Sequence, residues 1–198
     1  VVHALHFGFA AVSVESKARF VTVQDCEMLD PVSQITGSRR YSFNVDGQRT
    51  LVQRVRTRGG RHDFVNGARV LGPNVFLDGV AEDTHADIGP HHRWATGTLF
   101  DRIRGGAMAV QDRGDYGTGH GWSGAQMVFW NVEASELACE RPPGAENWCI
   151  GLVGMRTPGR LRRPDGHFEL EGQHASPSSL FLAQLEDRLG PDAVLAIT

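Results

Sequence analysis

The chain has 198 residues, 40% of them hydrophobic, with 24 glycines and 9 prolines, enough apolar material for one continuous core. Its net charge of −3 gives no electrostatic case for nucleic acid, and no apolar run is long enough to cross a membrane. Lys17 is the sole lysine, which removes lysine as a candidate catalytic base.

The chain opens at Val1 and runs straight into strand-like residues 7–14, as a mature or truncated product lacking its first coils would. A degenerate strand pattern then returns at intervals of 23 to 29 residues, with Val23, Val52, Leu77, Phe100 and Phe129 as its apolar markers. Phe43, Phe64, Trp94, Trp122 and Trp148 form a second series, each aromatic set between small or polar neighbours. Two strands per repeat in fixed order predict a parallel β-solenoid with an interior aromatic stack, because no single coil can bury its own apolar face. The alternative is an antiparallel β-sandwich, which has no reason to repeat an aromatic in register.

Cys139 and Cys149 bracket a Pro- and Gly-containing loop, and their spacing leaves both a disulfide and two buried thiols open. Cys26 reads as a small core residue. Residues 155–177, rich in Arg, Pro and Gly, predict an extended segment. The one strong helix signal follows, with Ser176 or Ser178 as cap, Pro177 in the first turn and Gly190 at the end. Leu182, Leu185 and Leu189 share a stripe, so the helix is expected to cap the last coil.

Candidate chemistry lies between residues 61 and 124. His62, His92 and His120 each stand two residues before an aromatic, which in stacked strands would make a column of imidazoles roughly 4.8 Å apart. Asp63 and Arg93 would lie on the opposite side of the pleat. His85, Asp87, His91 and His92 are metal-ligand types, but their spacing matches no regular motif and favours a structural role. Gly117-Thr118-Gly119 is a flexible loop and not a phosphate loop, since no helix start follows it. No motif demands a cofactor, and a divalent cation is the one candidate.

The two-strand repeat, the aromatic series and the terminal helix resemble the right-handed parallel β-helix proteins of the pectate lyase-like superfamily over residues 7 to about 154. The resemblance implies an all-β, single-stranded right-handed β-helix over 1–154 that lacks its N-terminal coils, and a C-terminal extended segment and capping helix over 155–198. It implies a secreted or cell-surface protein that takes a polysaccharide or oligosaccharide in a groove along the strands. The remainder of the polypeptide, or a second chain, would cover the open end. Gly119-His120-Gly121 is similar to the Gly-His-Gly of polygalacturonase-type hydrolases, but the adjacent Asp pair and the downstream Arg-Ile-Lys of those enzymes are missing.

Two reactions fit these residues. In a lyase, His92 or His120 removes the proton α to a uronate carboxyl group, Tyr116 protonates the departing oxygen, and Arg93 or Arg113 neutralises the carboxylate. In a glycoside hydrolase, a pair among Asp63, Asp87, Asp112 and Asp115 does the acid and nucleophile work. The lyase is the first expectation, with His62, His91, Trp94, Asp112 and Trp122 as substrate contacts. A non-catalytic glycan-binding or structural module is the competing class. Convergence of His92, Arg93 and His120 in an open groove would favour an enzyme, and their burial a structural ladder.

Overall fold

The computed structural model describes residues 7–198, so the chain's opening at Val1 lies outside it. In chain order the strands are β1 (Ala10–Val14), β2 (Thr22–Gln24), β3 (Glu27–Met28), β4 (Tyr41–Val45), β5 (Leu51–Arg58), β6 (His62–Asn66), β7 (Leu71–Glu82) and β8 (Gly89–Pro90). There follow β9 (Ala95–Asp101), β10 (Arg104–Val110), a one-turn α1 (Tyr116–Gly119), β11 (Gly124–Ala125), β12 (Val128–Trp130) and β13 (Glu133–Cys139). The chain ends with β14 (Trp148–Ile150), β15 (Val153–Arg156), β16 (His167–Glu169), α2 (Leu180–Leu189) and α3 (Pro191–Leu195).

These strands pair in parallel and form two sheets: one of four, in the order β1-β4-β6-β8, and one of twelve. The larger sheet curls into a half-barrel whose path runs through eight strands, β15-β13-β10-β7-β9-β12-β14-β16, with β2, β3, β5 and β11 attached at its side. The expectation of a single-stranded β-helix of the pectate lyase-like superfamily is therefore corrected. A recurring apolar marker reports that neighbouring parallel strands lie in register, which any parallel sheet requires. It does not report how sheets wrap around one another.

Side chains alternate across the half-barrel. Val23, Val52, Phe76, Phe100, Phe129, Cys149 and Phe168 occupy matched positions on successive strands. Phe76, Phe100 and Phe129 stack with centroids 5.2 and 4.9 Å apart, and Phe64 of the smaller sheet meets Phe76 at 5.9 Å. Burying each ring contributes roughly 1.5–3 kcal/mol, and each well-oriented ring pair about 0.5–1.5 more. The interior stack is thus built of phenylalanines. Of the second aromatic series, Phe43 and Phe64 are interior, whereas Trp94 is exposed and Trp122 and Trp148 are half-buried. Cys139 and Cys149 are buried free thiols, their ionisation opposed by burial, which raises Cys149 to about 12. Cys26 is only half-buried.

The opposite face of the same strands carries Gln53, Leu77, Asp101 and Trp130, again in register. This face is crossed by the C-terminal segment. Gln53 Nε2 and Arg54 Nη1 donate to the Ile197 carbonyl, and Trp130 Nε1 donates to that of Pro177. Asn131 Nδ2 is shared among the carbonyls of Ala175, Pro177 and Ser178, while its Oδ1 accepts from Ala175 N. Asp101 Oδ2 accepts from Ser179 Oγ at 2.7 Å and from Phe181 N at 2.8 Å. The terminal helix was expected to close the end of the stack. It lies along the flank of the half-barrel, where the start of α2 supplies the two donors that reach the buried Asp101 Oδ2.

Ser179, not Ser176 or Ser178, is the N-cap, with its hydroxyl accepting from Leu182 N while donating to Asp101. Ser179→Ala removes both bonds and is expected to cost about 1–2 kcal/mol. Ser178→Ala, at an exposed neighbour, is expected to change stability by less than about 0.5 kcal/mol. Chemical denaturation of the two variants checks the pair; equal effects would sink the capping assignment.

Candidate functional site

The functional candidates gather where the smaller sheet meets the loop that follows β10. Tyr41 on β4 and His62 on β6 are direct neighbours, with rings 5.3 Å apart. His91, just beyond β8, continues the row at 4.3 Å from His62, and His120 lies 4.9 Å from His91. His92 sits beside them, 5.1 Å from His91 and 4.8 Å from His120. The expected column of His62, His92 and His120 is thus found as His62, His91 and His120. The reason is local: Arg93 and Trp94 both have positive φ, so counting back two residues from Trp94 crosses a turn and reaches the wrong face.

One ion pair crosses this cluster. Arg113 Nη1 donates to Asp87 Oδ2 at 3.2 Å and to His91 Nδ1 at 3.3 Å. His62 Nδ1 donates to the Asp87 carbonyl at 2.7 Å, which leaves Nε2 as the lone-pair nitrogen, buried and without a hydrogen-bond partner. Burial is the main cause that holds all four imidazoles neutral, lowering His62, His91 and His92 and bringing His120 down to about 4. For His120 the neighbouring His92 and Arg113 add to the effect.

The loop over this cluster explains its glycines. A Cβ at Gly117, whose φ is +63°, would stand 2.2 Å from the His120 ring, so the chain folds onto the imidazole only with glycine there. Arg93 Nη2 donates to the carbonyl and hydroxyl of Thr118 at 2.6 and 2.7 Å, which ties the same loop down. Tyr116 is exposed at the rim with the Arg160 guanidinium 4.8 Å over its ring.

The predicted site residues therefore separate into three groups. His62, His91, His120 and Arg113 are buried together; His92 and Arg93 are half-buried beside them; Trp94 and Tyr116 are exposed, with Trp122 half-buried. Trp94 is 42% exposed, with the Trp122 ring 6.5 Å away and their backbones hydrogen-bonded. Asp63 is not part of the surface. Its carboxyl is buried, accepts from Ser42 Oγ at 2.6 Å, and is pushed toward the neutral form by burial. Asp112 is buried too, accepting from Arg163 Nε at 2.9 Å and from Gly114 N. Asp115 and His85 are exposed and outside the cluster.

Asp87 emerges as the residue that organises the centre, holding His62 through its carbonyl and Arg113 through its carboxylate. The sequence offers it as a partner of His85, His91 and His92 and as one of four candidate hydrolase carboxylates, but nothing in the chain order brings His62 or Arg113 to it. An open groove lies elsewhere, along β7, β10, β13 and β15, lined by Ala81, Arg104, Gly105, Glu133 and Ala134. Its charged walls, Arg104 and Glu133, neutralise each other at 3.2 Å, so the unspent chemistry is in the histidine cluster. Among the described residues no helix is long and apolar enough to cross a membrane. Comparison with protein-family models, curated proteins and solved structures returns no match.

Proposed function

We propose that the protein is carbohydrate-active and holds a uronic-acid-containing glycan against Trp94 and Trp122, with Arg93 as the partner of the uronate carboxylate. The observation that carries this reading is the adjacent tryptophan pair, Trp94 exposed and Trp122 half-buried 6.5 Å away, with Arg93 next to Trp94 in the chain. A sugar ring presents an apolar C–H face that packs on an indole, and a uronate adds a charge that an arginine pairs in two-pronged fashion. Trp94→Ala is expected to weaken the affinity for uronate oligosaccharides at least tenfold. Arg93→Gln is expected to remove the preference for uronates over neutral glycans. Titration calorimetry on a panel of both kinds reads these effects, and failure of the wild-type chain to bind any uronate glycan overturns the reading.

A second reading, β-elimination, draws on the neutral imidazoles of His92 and His120 next to Arg93. In that reaction one imidazole takes the proton α to the carboxylate, a carbon–carbon double bond forms, and the glycosidic oxygen leaves with a proton from Tyr116. Hydrolysis keeps fewer carboxylates to draw on, since Asp63 and Asp112 are engaged by Ser42 and Arg163 and Asp87 by Arg113, while Asp115 stays exposed. The ultraviolet band of an unsaturated uronate, gained with wild type and lost in His120→Ala, would favour elimination. Binding with no such band leaves a glycan-binding module.

A further inference from the structure

We propose that His62, His91 and Asp87 form a site for a divalent transition-metal ion of the zinc class, which in the metal-free protein is held closed by the Arg113 guanidinium. One ligating atom from each of the three residues lies within 4.8 Å of the others. A tetrahedral ion with ligand bonds of about 2.0–2.1 Å holds its ligands about 3.4 Å apart, so modest side-chain rotation closes the shell. This inference is independent of glycan binding and uses none of the outward-facing residues.

The state of His62 carries the argument. Its Nδ1–H donates to the Asp87 carbonyl, which is the support that fixes the tautomer and ring angle of a metal-bound histidine. The Nε2 lone pair then has no donor to satisfy it, on a side chain that is 1% exposed. A buried acceptor left without a donor costs free energy. A metal ion satisfies the lone pair without a proton. Two imidazoles and one carboxylate are a borderline-soft donor set that suits zinc, cobalt, nickel or copper over calcium or magnesium.

Arg113 sets the terms of binding. Its Nη1 donates both to the Asp87 carboxylate and to His91 Nδ1, so its positive charge sits among the same groups the ion needs. While His91 Nδ1 accepts from Arg113, its other nitrogen carries the proton and cannot ligate. An arriving ion must displace the guanidinium, and the two compete. Removing Arg113 is therefore expected to tighten metal binding, the reverse of what loss of an ordinary structural residue would do.

Cobalt(II) titrated into the chelator-stripped full chain tests this, read by its visible d–d absorption. A single saturable site is expected in wild type. His62→Gln and Asp87→Asn, the latter leaving the backbone carbonyl in place, are expected to weaken it at least tenfold, and Arg113→Met to tighten it about tenfold. Far-ultraviolet circular dichroism shows which variants keep the fold, and Asp87→Asn serves if His62→Gln does not. Absence of the band from wild type overturns the proposal. So does wild-type affinity in the folded ligand variants, which would place the ion on surface histidines.

Discussion

Phe100→Ala is expected to lower the stability of the protein by about 3–5 kcal/mol, a large part of the roughly 5–15 kcal/mol that holds a typical domain folded. Phe100 is fully buried at the middle of the stack, within 5.2 Å of Phe76 on one side and 4.9 Å of Phe129 on the other. Truncation removes the ring's burial and both ring contacts, and the strands on either side cannot close the gap without leaving register. Phe100→Leu keeps most of the volume and is expected to cost clearly less. Urea denaturation with an unchanged slope measures both. A loss below about 1 kcal/mol for Phe100→Ala would mean that the stack is not the centre of the core.

Acidification is expected to produce the second large effect. The four imidazoles are held neutral in the folded chain, whereas an unfolded histidine titrates near 6.5. Below that pH the unfolded chain takes up protons that the folded chain refuses, so stability is full above about 6.5 and falls as pH drops. For His120 the fall continues to its folded value of about 4, a loss on the order of 3 kcal/mol for this group alone. Around the cluster, Arg61, Arg93 and Arg113 reinforce the effect and Asp87 opposes it. Asp63 and Asp101, raised by burial, work the other way from their ordinary value of 3.8 upward, and so offset part of the loss at the lower end of the range. Denaturation at pH 7, 6 and 5 in the presence of chelator reads the slope. His120→Gln should flatten it, and a stability that stays constant from pH 7 to 5 would contradict the neutral cluster.

How far the sequence spoke can be judged on particular residues. Val23, Val52, Phe100 and Phe129 are in register as their spacing implies, but the third member is Phe76 and not Leu77. Both are buried, Phe76 among the stacked rings and Leu77 on the face that the C-terminal segment crosses. Local pattern cannot tell two buried faces apart when the second is covered by residues a hundred positions away. The wrap of the sheets was illegible for a similar reason, since register is a property of neighbouring strands and curl is a property of the whole. The histidines were found as a cluster, yet the positive φ of Arg93 and Trp94 exchanged His91 for His92. The roles of Asp63 and Asp112 as buried acceptors could not be seen either, because Ser42 and Arg163, which claim them, lie 21 and 51 residues away.

The fastening of residues 175–197 across the half-barrel has a kinetic side. Strand pairs join segments a few dozen residues apart, so the sheet can assemble by successive short loop closures. The bond from Gln53 to the Ile197 carbonyl spans 144 residues and brings no such local start. The entropic cost of closing so long a loop is offset only once the sheet already presents Gln53, Asp101 and Asn131 as partners. Strand zippering is therefore expected to precede docking of the strap, leaving Leu77 and Trp130 open to solvent until the strap is in place.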